Sequence, residues 1–346
     1  MQIVGVRRQG CALWQQGEPG LVVLGVWTEK KPGRGEDAEP LLVHKLAGDS
    51  GLIAVFDGAG GAGSAAAGRT PGGQERTGAW VGSRTARAAT EEWYVLGLKD
   101  PADAGPAGLK RVLRERLGAM AVGSVSKISG SMRRLLPTTL AAVDYAREGE
   151  VVSWNVLWAG DSRCYLLGEH AGLQQLTVDD TESADALTLL TDDPPMTNLV
   201  AADREFTVHC VPGETAAPCV LLCATDGFFG YVLTPADFEH VLLHALHTAV
   251  DAEQWASNLI DAVSSYTADD ASLALVAMGF RDFEHLRATF AERLRSLTAE
   301  HWEPVRDAAA GDRGGFLAAR GSSWSSYRTG YERRMPAAEG ARDEAG

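Results

Sequence analysis

The stretch "VVSWNVLWAGDSRCYLL", Val151–Leu167, indicates the fold class of the chain. Apolar residues alternate through its first half, which is typical of a strand with one buried face. The alternating residues are Val152, Trp154, Val156 and Trp158. A Gly-Asp-Ser turn follows, and "RCYLL" (Arg163–Leu167) is predicted to be a second strand. A connection this short cannot make the crossover that parallel strands need, so antiparallel sheets are indicated.

Further short strands are predicted because several runs are rich in β-branched or aromatic residues and are bounded by turn residues. They are "LVVLGVWT" (Leu21–Thr28), "LLVHKL", "LIAVFD", "TLAAVDYA", "REFTVHC", "CVLLCATD" and "ASLALVAMGF". Helices are predicted between and after them, whereas Gly63–Gly73 is predicted to be a flexible loop. The predicted helices are Gln74–Leu98, Leu109–Ser126, Pro235–Val250, Ala252–Tyr266 and the amphipathic segment "FEHLRATFAERLRSLTAEHW". This order predicts antiparallel sheets covered by helices.

The composition restricts the class of protein. The 346 residues are 45% hydrophobic and 23% charged, as in a globular protein, and suffice for one large domain or two ordinary ones. A formal net charge of −14 argues against binding to nucleic acid or to an anionic membrane surface. No apolar run suits a signal peptide or a membrane span, and five scattered cysteines fit a reducing compartment. We therefore predict a cytoplasmic protein with no nucleic-acid or membrane partner.

Acidic residues recur where predicted strands begin or end. They are Glu36, Asp37, Asp57, Asp161, Asp226, Asp269 and Asp270. Each motif alone is ordinary turn chemistry, but their joint occurrence favours a functional site. Converging carboxylates repel one another unless cations neutralise them, and oxygen ligands without His or Cys favour Mg²⁺ or Mn²⁺ over zinc. Two such ions would polarise a phosphate for in-line attack.

In this order, the motifs resemble those of the metal-dependent protein Ser/Thr phosphatases of type 2C, the PPM family, and of its bacterial members. The motifs are "GEDA", "VFDGAGG", "PTTLAA", "AGDSRCYL", "CATDGFF" and "ADDASLALV". The resemblance covers roughly Trp27 to Phe280. It implies an α+β fold, a four-layer αββα sandwich of two antiparallel sheets flanked by helices, with the metals at one end between the sheets.

The resemblance also implies an activity and a set of site residues. A phosphoprotein phosphatase is implied that uses two or three Mg²⁺ or Mn²⁺ ions, with a metal-bound hydroxide attacking phosphoserine or phosphothreonine directly. The implied metal ligands are Glu36, Asp37, Asp57, the carbonyl of Gly58, Asp161, Asp226 and Asp269. Among them, Asp57, Asp226 and Asp269 are the implied catalytic residues. Arg34, at slightly shifted spacing, is the candidate for binding the phosphate.

Two departures from the family pattern keep alternatives open. Ala59 stands where many members carry His, and Gly35 stands where Asn is common. The segment at 177–206 also occupies the place of a substrate-side flap and matches it only loosely. One alternative is a weak or inactive phosphatase-like module that binds phosphoprotein partners. Another is an enzyme of the same fold that acts on a small phosphorylated molecule.

The chain is predicted to have three parts. Residues 1–280 form the catalytic domain, residues 281–334 form a helical extension on or beside it, and residues 335–346 form a disordered tail. "GSSWSSYRTGYERR" (Gly321–Arg334) either packs on the domain or docks a partner, and packing is favoured. His240, His244 and His247 share a helical face, for which packing or exposure is favoured over zinc binding. Nothing in the sequence indicates the oligomeric state.

Overall fold

The computed structural model describes residues 4–8, 10–18, 20–45, 49–70, 72–121, 134–183, 185–192 and 194–337. Residues 122–126 of the second predicted helix and residues 338–346 of the predicted tail lie outside the described residues.

Two antiparallel sheets form the centre of the molecule. In the described residues, the first sheet has the order β1-β2-β3-β14-β13-β10-β11. Its strands are β1 (Val4–Arg8), β2 (Cys11–Glu18), β3 (Leu21–Thr28), β14 (Ala271–Met278), β13 (Cys219–Ala224), β10 (Arg163–Gly168) and β11 (Gly172–Gln175). The second sheet has the order β12-β9-β8-β5-β4. Its strands are β12 (His209–Ala216), β9 (Val151–Ala159), β8 (Leu140–Glu148), β5 (Ser50–Val55) and β4 (Leu41–Lys45). A separate hairpin joins β6 (Ala66–Arg69) and β7 (Glu75–Thr77).

Helices cover the outer face of each sheet. The described helices are α1 (Gly60–Gly63), α2 (Gly78–Gly97), α3 (Pro106–Ala121), α4 (Asp226–Phe229), α5 (Pro235–His247), α6 (Ala252–Tyr266), α7 (Phe283–Thr289), α8 (Ala291–Leu297), α9 (Glu303–Ala309) and α10 (Arg313–Tyr331). Helices α2 and α3 share an apolar core with the second sheet, and α5, α6 and α10 share one with the first. None of the described helices is long and apolar enough to cross a membrane.

A third apolar core lies between the two sheets. Val23 and Val276 of the first sheet meet Ile53 and Val156 of the second there, and all four are buried. The alternating side chains of β9 point into this layer, as their period of two predicts. The predicted αββα sandwich with antiparallel sheets is therefore confirmed.

The turn at Gly160 carries the chain from one sheet to the other, because β9 and β10 belong to different sheets. Gly160 has φ +101°, and a Cβ there would lie 2.8 Å from Cγ2 of Thr139. Only glycine fits this left-handed, crowded position at low cost. The turn thereby places Asp161 where the two sheets meet.

Several predicted boundaries are wrong for local reasons. The strand predicted at "REFTVHC" begins only at His209, because the side chain of Asn198 pairs with the backbone of Thr207 in place of a neighbouring strand. The predicted loop Gly63–Gly73 contains β6. The helix predicted from Gln74 begins at Gly78, where Thr77 accepts a hydrogen bond from the Trp80 amide as its N-cap. The predicted helix after residue 281 is divided into α7, α8 and a π-helical turn, Thr298–Trp302.

The C-terminal aromatic segment packs on the domain. Trp324, Tyr327 and Tyr331 of α10 are buried in the core of the first sheet, which confirms the favoured interpretation of Gly321–Arg334. His240 is also buried, between the rings of His244 and Trp302, so a packing role is confirmed for this histidine.

Candidate metal centre

The predicted acidic residues lie at one end of the sandwich. In the first sheet, the strand register sets Thr28 opposite Ala271 and Arg163 opposite Ala224, so the loops beyond these residues leave the same edge. The acids of those loops are Glu36, Asp37, Asp161, Asp226, Asp269 and Asp270. Asp57 follows β5 of the second sheet. Seven acids from five chain segments therefore surround one end of the layer between the sheets.

The carboxyl groups at the centre of this cluster influence one another electrostatically. Burial, followed by the charges of Asp37 and Asp161, raises the pKa of Asp57 well above its usual range. Burial, followed by the charges of Asp57 and Asp161, likewise raises the pKa of Asp226. Asp37, which is 2% exposed, has a raised pKa through burial and the charge of Asp270. Each of these groups is thus shifted toward its neutral form in the absence of cations.

Asp37 and Asp57 are close enough to share a hydrogen bond. Two carboxyl groups can do so only when one of them keeps a proton, since a carboxylate is an acceptor only. Thr225 donates a second hydrogen bond to Oδ2 of Asp37, at 2.9 Å. A proton shared by these two carboxyl groups would compete with a cation for the same oxygens.

Two adjacent threonines hold the backbone of Asp57. The hydroxyl of Thr138 donates to the carbonyl of Asp57 at 2.7 Å, and the hydroxyl of Thr139 accepts from its amide at 3.1 Å. Thr139 Oγ1 also lies 2.6 Å from Oγ of Ser162, which follows Asp161. The "PTTLAA" motif therefore connects the strand end at Asp57 with the turn at Asp161.

Asp270 and Arg84 hold the loop that carries Glu36 and Asp37. The two carboxylate oxygens of Asp270 accept the amide hydrogens of Lys30, at 2.8 Å, and Glu36, at 2.6 Å. The guanidinium of Arg84 donates to the carbonyl of Asp37 at 2.9 Å and to that of Glu36 at 3.2 Å. Burial lowers the pKa of Arg84 to about 10. No sequence motif predicts this supporting role for either residue, because their partners are backbone groups far away in the sequence.

The carboxylate of Glu36 lies over Gly60 at the start of α1. Thr77 donates to its Oε1 at 2.5 Å, and burial raises its pKa. A Cβ at Gly60 would overlap Oε2 of Glu36, whereas a Cβ at Gly61 would meet no atom within 4 Å.

Replacing Gly60 by Ala is therefore expected to displace the Glu36 carboxylate. We expect Mn²⁺ affinity to fall about tenfold or more, as when other groups that orient ligands are changed. Isothermal titration calorimetry of the full chain measures this, with Gly61→Ala as the matched control. Equal affinities for the two variants would contradict the role of Glu36.

The remaining predicted site residues differ in their surroundings. Gly58 is tightly enclosed, since a Cβ there would lie 2.6 Å from the carbonyl oxygen of Glu36. Asp269 accepts from the hydroxyl of Tyr231 at 3.3 Å. Arg34 is exposed, and within the described part of the chain its guanidinium makes no hydrogen bond or ion pair. The structure therefore groups the acids but does not place Arg34 on them.

A cleft of about 270 Å³ opens beside the acids. Its lining includes Asp161, Asp226 and Asp269 together with residues 189–192. The cleft gives a small ligand or a side chain room to reach the carboxylates.

The donor set suits hard cations, although it is not arranged as a finished ligand shell. Among the described residues, no three Asp, Glu, His or Cys side chains converge as ligands of a single ion. The clustered donors are nevertheless all oxygens, as Mg²⁺ and Mn²⁺ require. Burial, and after it the charges of neighbouring carboxylates, raises the pKa of Asp37, Asp57 and Asp226, and a bound cation would relieve that repulsion. In donor chemistry, the residues fit a divalent cation.

Comparisons with known proteins show similarity of fold. No family model matches the chain, and no curated protein matches its sequence. A solved C. elegans sex-determining protein is 15% identical with a TM-score of 0.57, over 80% of this chain and 68% of that one. The Mycobacterium tuberculosis serine/threonine phosphatase PstP/Ppp is 18% identical with a TM-score of 0.48, over 78% of this chain and 99% of that one. The catalytic domain of PstP in complex with two manganese ions has 18% identity and a TM-score of 0.45, over 78% and 99% of the two chains. The similarity to the C. elegans protein, with a TM-score above 0.5, is one of fold, and in this chain that fold is two antiparallel sheets between helical layers.

Proposed function

We propose that the protein is a metal-dependent phosphatase that hydrolyses phosphoserine or phosphothreonine in proteins, with two or three Mg²⁺ or Mn²⁺ ions. One observation carries the proposal: seven acids from five segments meet at one end of the sandwich, and burial and mutual repulsion raise the pKa of several of them. Such a cluster lowers stability unless cations neutralise it. Once cations neutralise the acids, the site suits a polyanionic substrate such as a phosphate group.

The proposed metal ligands are the carboxylates of Asp57, Asp226 and Asp269, the carbonyl of Gly58, and the acids of the two neighbouring loops. The acids of those loops are Glu36, Asp37 and Asp161. When bound, the ions would supply an activated water and withdraw charge from the phosphate oxygens.

The other side chains of the site fix the ligands and the substrate. Thr139 holds the amide of Asp57, and Asp270 holds the amide of Glu36, so both acids are oriented before any ion binds. Arg34 is exposed and is proposed to bind the phosphate through its two-pronged guanidinium. Ala59 offers no proton to the leaving oxygen. Water or another group must then supply this proton, and we expect the reaction to be slower but not abolished.

Phosphate release from a phosphothreonine peptide tests the proposal. The full chain is expected to release phosphate with Mn²⁺ and not with EDTA. The released phosphate should contain one oxygen from labelled water, and no phosphoenzyme should form. A sugar phosphate assayed in parallel tests the alternative of a small-molecule substrate. Metal-saturated protein that releases no more phosphate than the EDTA control would contradict the proposal.

A second candidate is a phosphatase-like module that binds phosphoproteins without turnover. Ala59 and the lack of a finished three-residue ligand shell among the described residues favour it. It predicts measurable binding of the same phosphopeptide, with no phosphate released under any metal condition.

A further inference from the structure

We propose that helix α10 is a positioning element for the candidate site, because it holds one wall of the cleft in place. The wall is residues 189–192, and it belongs to the segment 185–192, called the cleft segment below. Its consequence for catalysis rests on the proposed function, whereas its effect on the cleft segment does not. Helix α10 lies beyond the part of the chain that carries the phosphatase motifs.

One carboxylate joins α10 to the cleft segment. Trp324 donates its indole N–H to Oδ2 of Asp185 at 3.1 Å, and Nη1 of Arg328 lies 2.9 Å from the same oxygen. Trp324 is 6% exposed, and the guanidinium of Arg328 lies 5.6 Å from the centroid of its ring. A buried indole N–H needs a partner, and Asp185 supplies it.

The other oxygen of Asp185 organises the cleft segment itself. Oδ1 accepts from the amide of Thr188 at 2.9 Å and from its hydroxyl at 3.0 Å. These bonds begin the short 3₁₀ turn at Thr188–Leu190. Residues 189–192, which contain the last two residues of that turn and the two that follow it, line the same cleft as the acids. The position of this wall therefore depends on a carboxylate whose other oxygen is bound to α10.

The C-terminal end of α10 contacts a second part of the cleft. Arg163 donates to the hydroxyl of Tyr331 at 3.3 Å and forms a buried ion pair with Asp179 at 2.7 Å. Arg163 and Asp179 both line the cleft, and Arg163 lies two residues after Asp161. Helix α10 therefore contacts both the cleft segment and the strand that follows the Asp161 turn.

Packing alone does not account for these contacts. Ala186 is buried against the same core, but apolar contact is not directional. Hydrogen bonds and a close ion pair fix both distance and angle. Outside one 3₁₀ turn, the cleft segment has no regular structure to orient it. We infer that Trp324 and Arg328 set its orientation.

Hydrogen exchange of the full chain, followed by mass spectrometry, tests the inference. In the variant that combines Trp324→Phe with Arg328→Gln, we expect amides of the cleft segment to exchange about tenfold faster, a factor that corresponds to about 1.4 kcal/mol. Amides of β14 should be unchanged. The matched control is Arg313→Gln, since Arg313 is an exposed arginine of the same helix. Arg328→Lys alone should retain most of the protection, because it keeps the charge.

Two results would overturn the inference: unchanged exchange in the cleft segment, or an equal increase throughout the core, which indicates general destabilisation. Hydrogen exchange of Asp185→Asn gives a second test, because this substitution removes the carboxylate from the cleft segment and leaves the sequence of α10 unchanged. If the protein is a phosphatase, the combined variant should also raise KM for the phosphopeptide about tenfold with kcat within about twofold. A lack of activity in every variant, wild type included, would contradict the proposed function, and the exchange data would still decide the role of α10.

Discussion

Asp57→Asn is expected to lower kcat for phosphothreonine peptide hydrolysis about 10³-fold, the upper range for loss of one group that stabilises charge at a reacting centre. An amide keeps the shape of the side chain but loses the charge with which Asp57 is proposed to hold a metal ion. Steady-state kinetics in saturating Mn²⁺ measures the effect. The matched control is Asp144→Asn, because Asp144 of β8 is a half-buried acid outside the cluster whose pKa burial raises to about 6. Similar kcat values for the two variants would show that the Asp57 carboxylate is not needed for the reaction.

The same substitution is expected to stabilise the metal-free protein at neutral pH. Folding raises the pKa of Asp57 above its unfolded value, so its contribution to stability is present at low pH and is lost as the pH rises through the folded pKa. Asparagine carries no charge to desolvate. Urea unfolding in EDTA should therefore show the variant more stable than wild type at neutral pH, with the difference shrinking on acidification. If Asp57→Asn were less stable than wild type at neutral pH, the proposed repulsion between Asp57 and the neighbouring carboxylates would be contradicted.

Manganese should reverse this order of stability. At a free concentration one hundred times Kd, a ligand that binds only the folded state stabilises it by about 2.7 kcal/mol. Wild type is expected to gain this stabilisation, and Asp57→Asn to gain little of it.

Arg163→Met is expected to lower the free energy of unfolding by about 3–5 kcal/mol, the usual effect of leaving one charge of a buried pair without its partner. Arg163 and Asp179 have side chains that are each 3% exposed, and Nε and Nη2 of Arg163 donate to Asp179 at 2.9 Å and 2.7 Å. The guanidinium also lies 4.2 Å from the centroid of the Phe229 ring. Urea unfolding of the full chain measures the loss.

The double variant that combines Arg163→Met with Asp179→Leu serves as the control for this prediction. Because it removes both charges, it should recover most of the lost stability. A single variant that loses less than about 1 kcal/mol, the range of an exposed pair, would show that the pair is not isolated from water.

Local sequence patterns predicted much of the fold. Strand β3 and helix α6 have the predicted bounds. The side chains of β3 alternate between two apolar cores, and α6 turns one face to the core of the first sheet. Local patterns did not predict the sheet to which each strand belongs. Strands β9 and β10 follow one another closely and yet lie in opposite sheets, since pairing is decided by distant partners such as β12 and β13.

The candidate site was predictable where its chemistry lies in side-chain motifs. The strand-end acids are grouped as the motif order predicts, although their roles as ligands stay predictions. Arg84 and Asp270 were not predictable as supports, because they bind backbone groups of a loop far away in the sequence. The contacts of Trp324 and Arg328 with Asp185 join residues about 140 positions apart, and no local pattern encodes such a pair.

Anomalous scattering from crystals grown with saturating Mn²⁺ tests the central claim most directly. The proposal predicts at least two manganese peaks about 3.5–4 Å apart, the spacing of two-metal phosphatase sites, with the Asp57 carboxylate between them. Asp226 and Asp269 should contact one of the two ions. Manganese-saturated crystals with no anomalous peak at the carboxylate of Asp57 would contradict the claim that this acidic cluster is a metal centre.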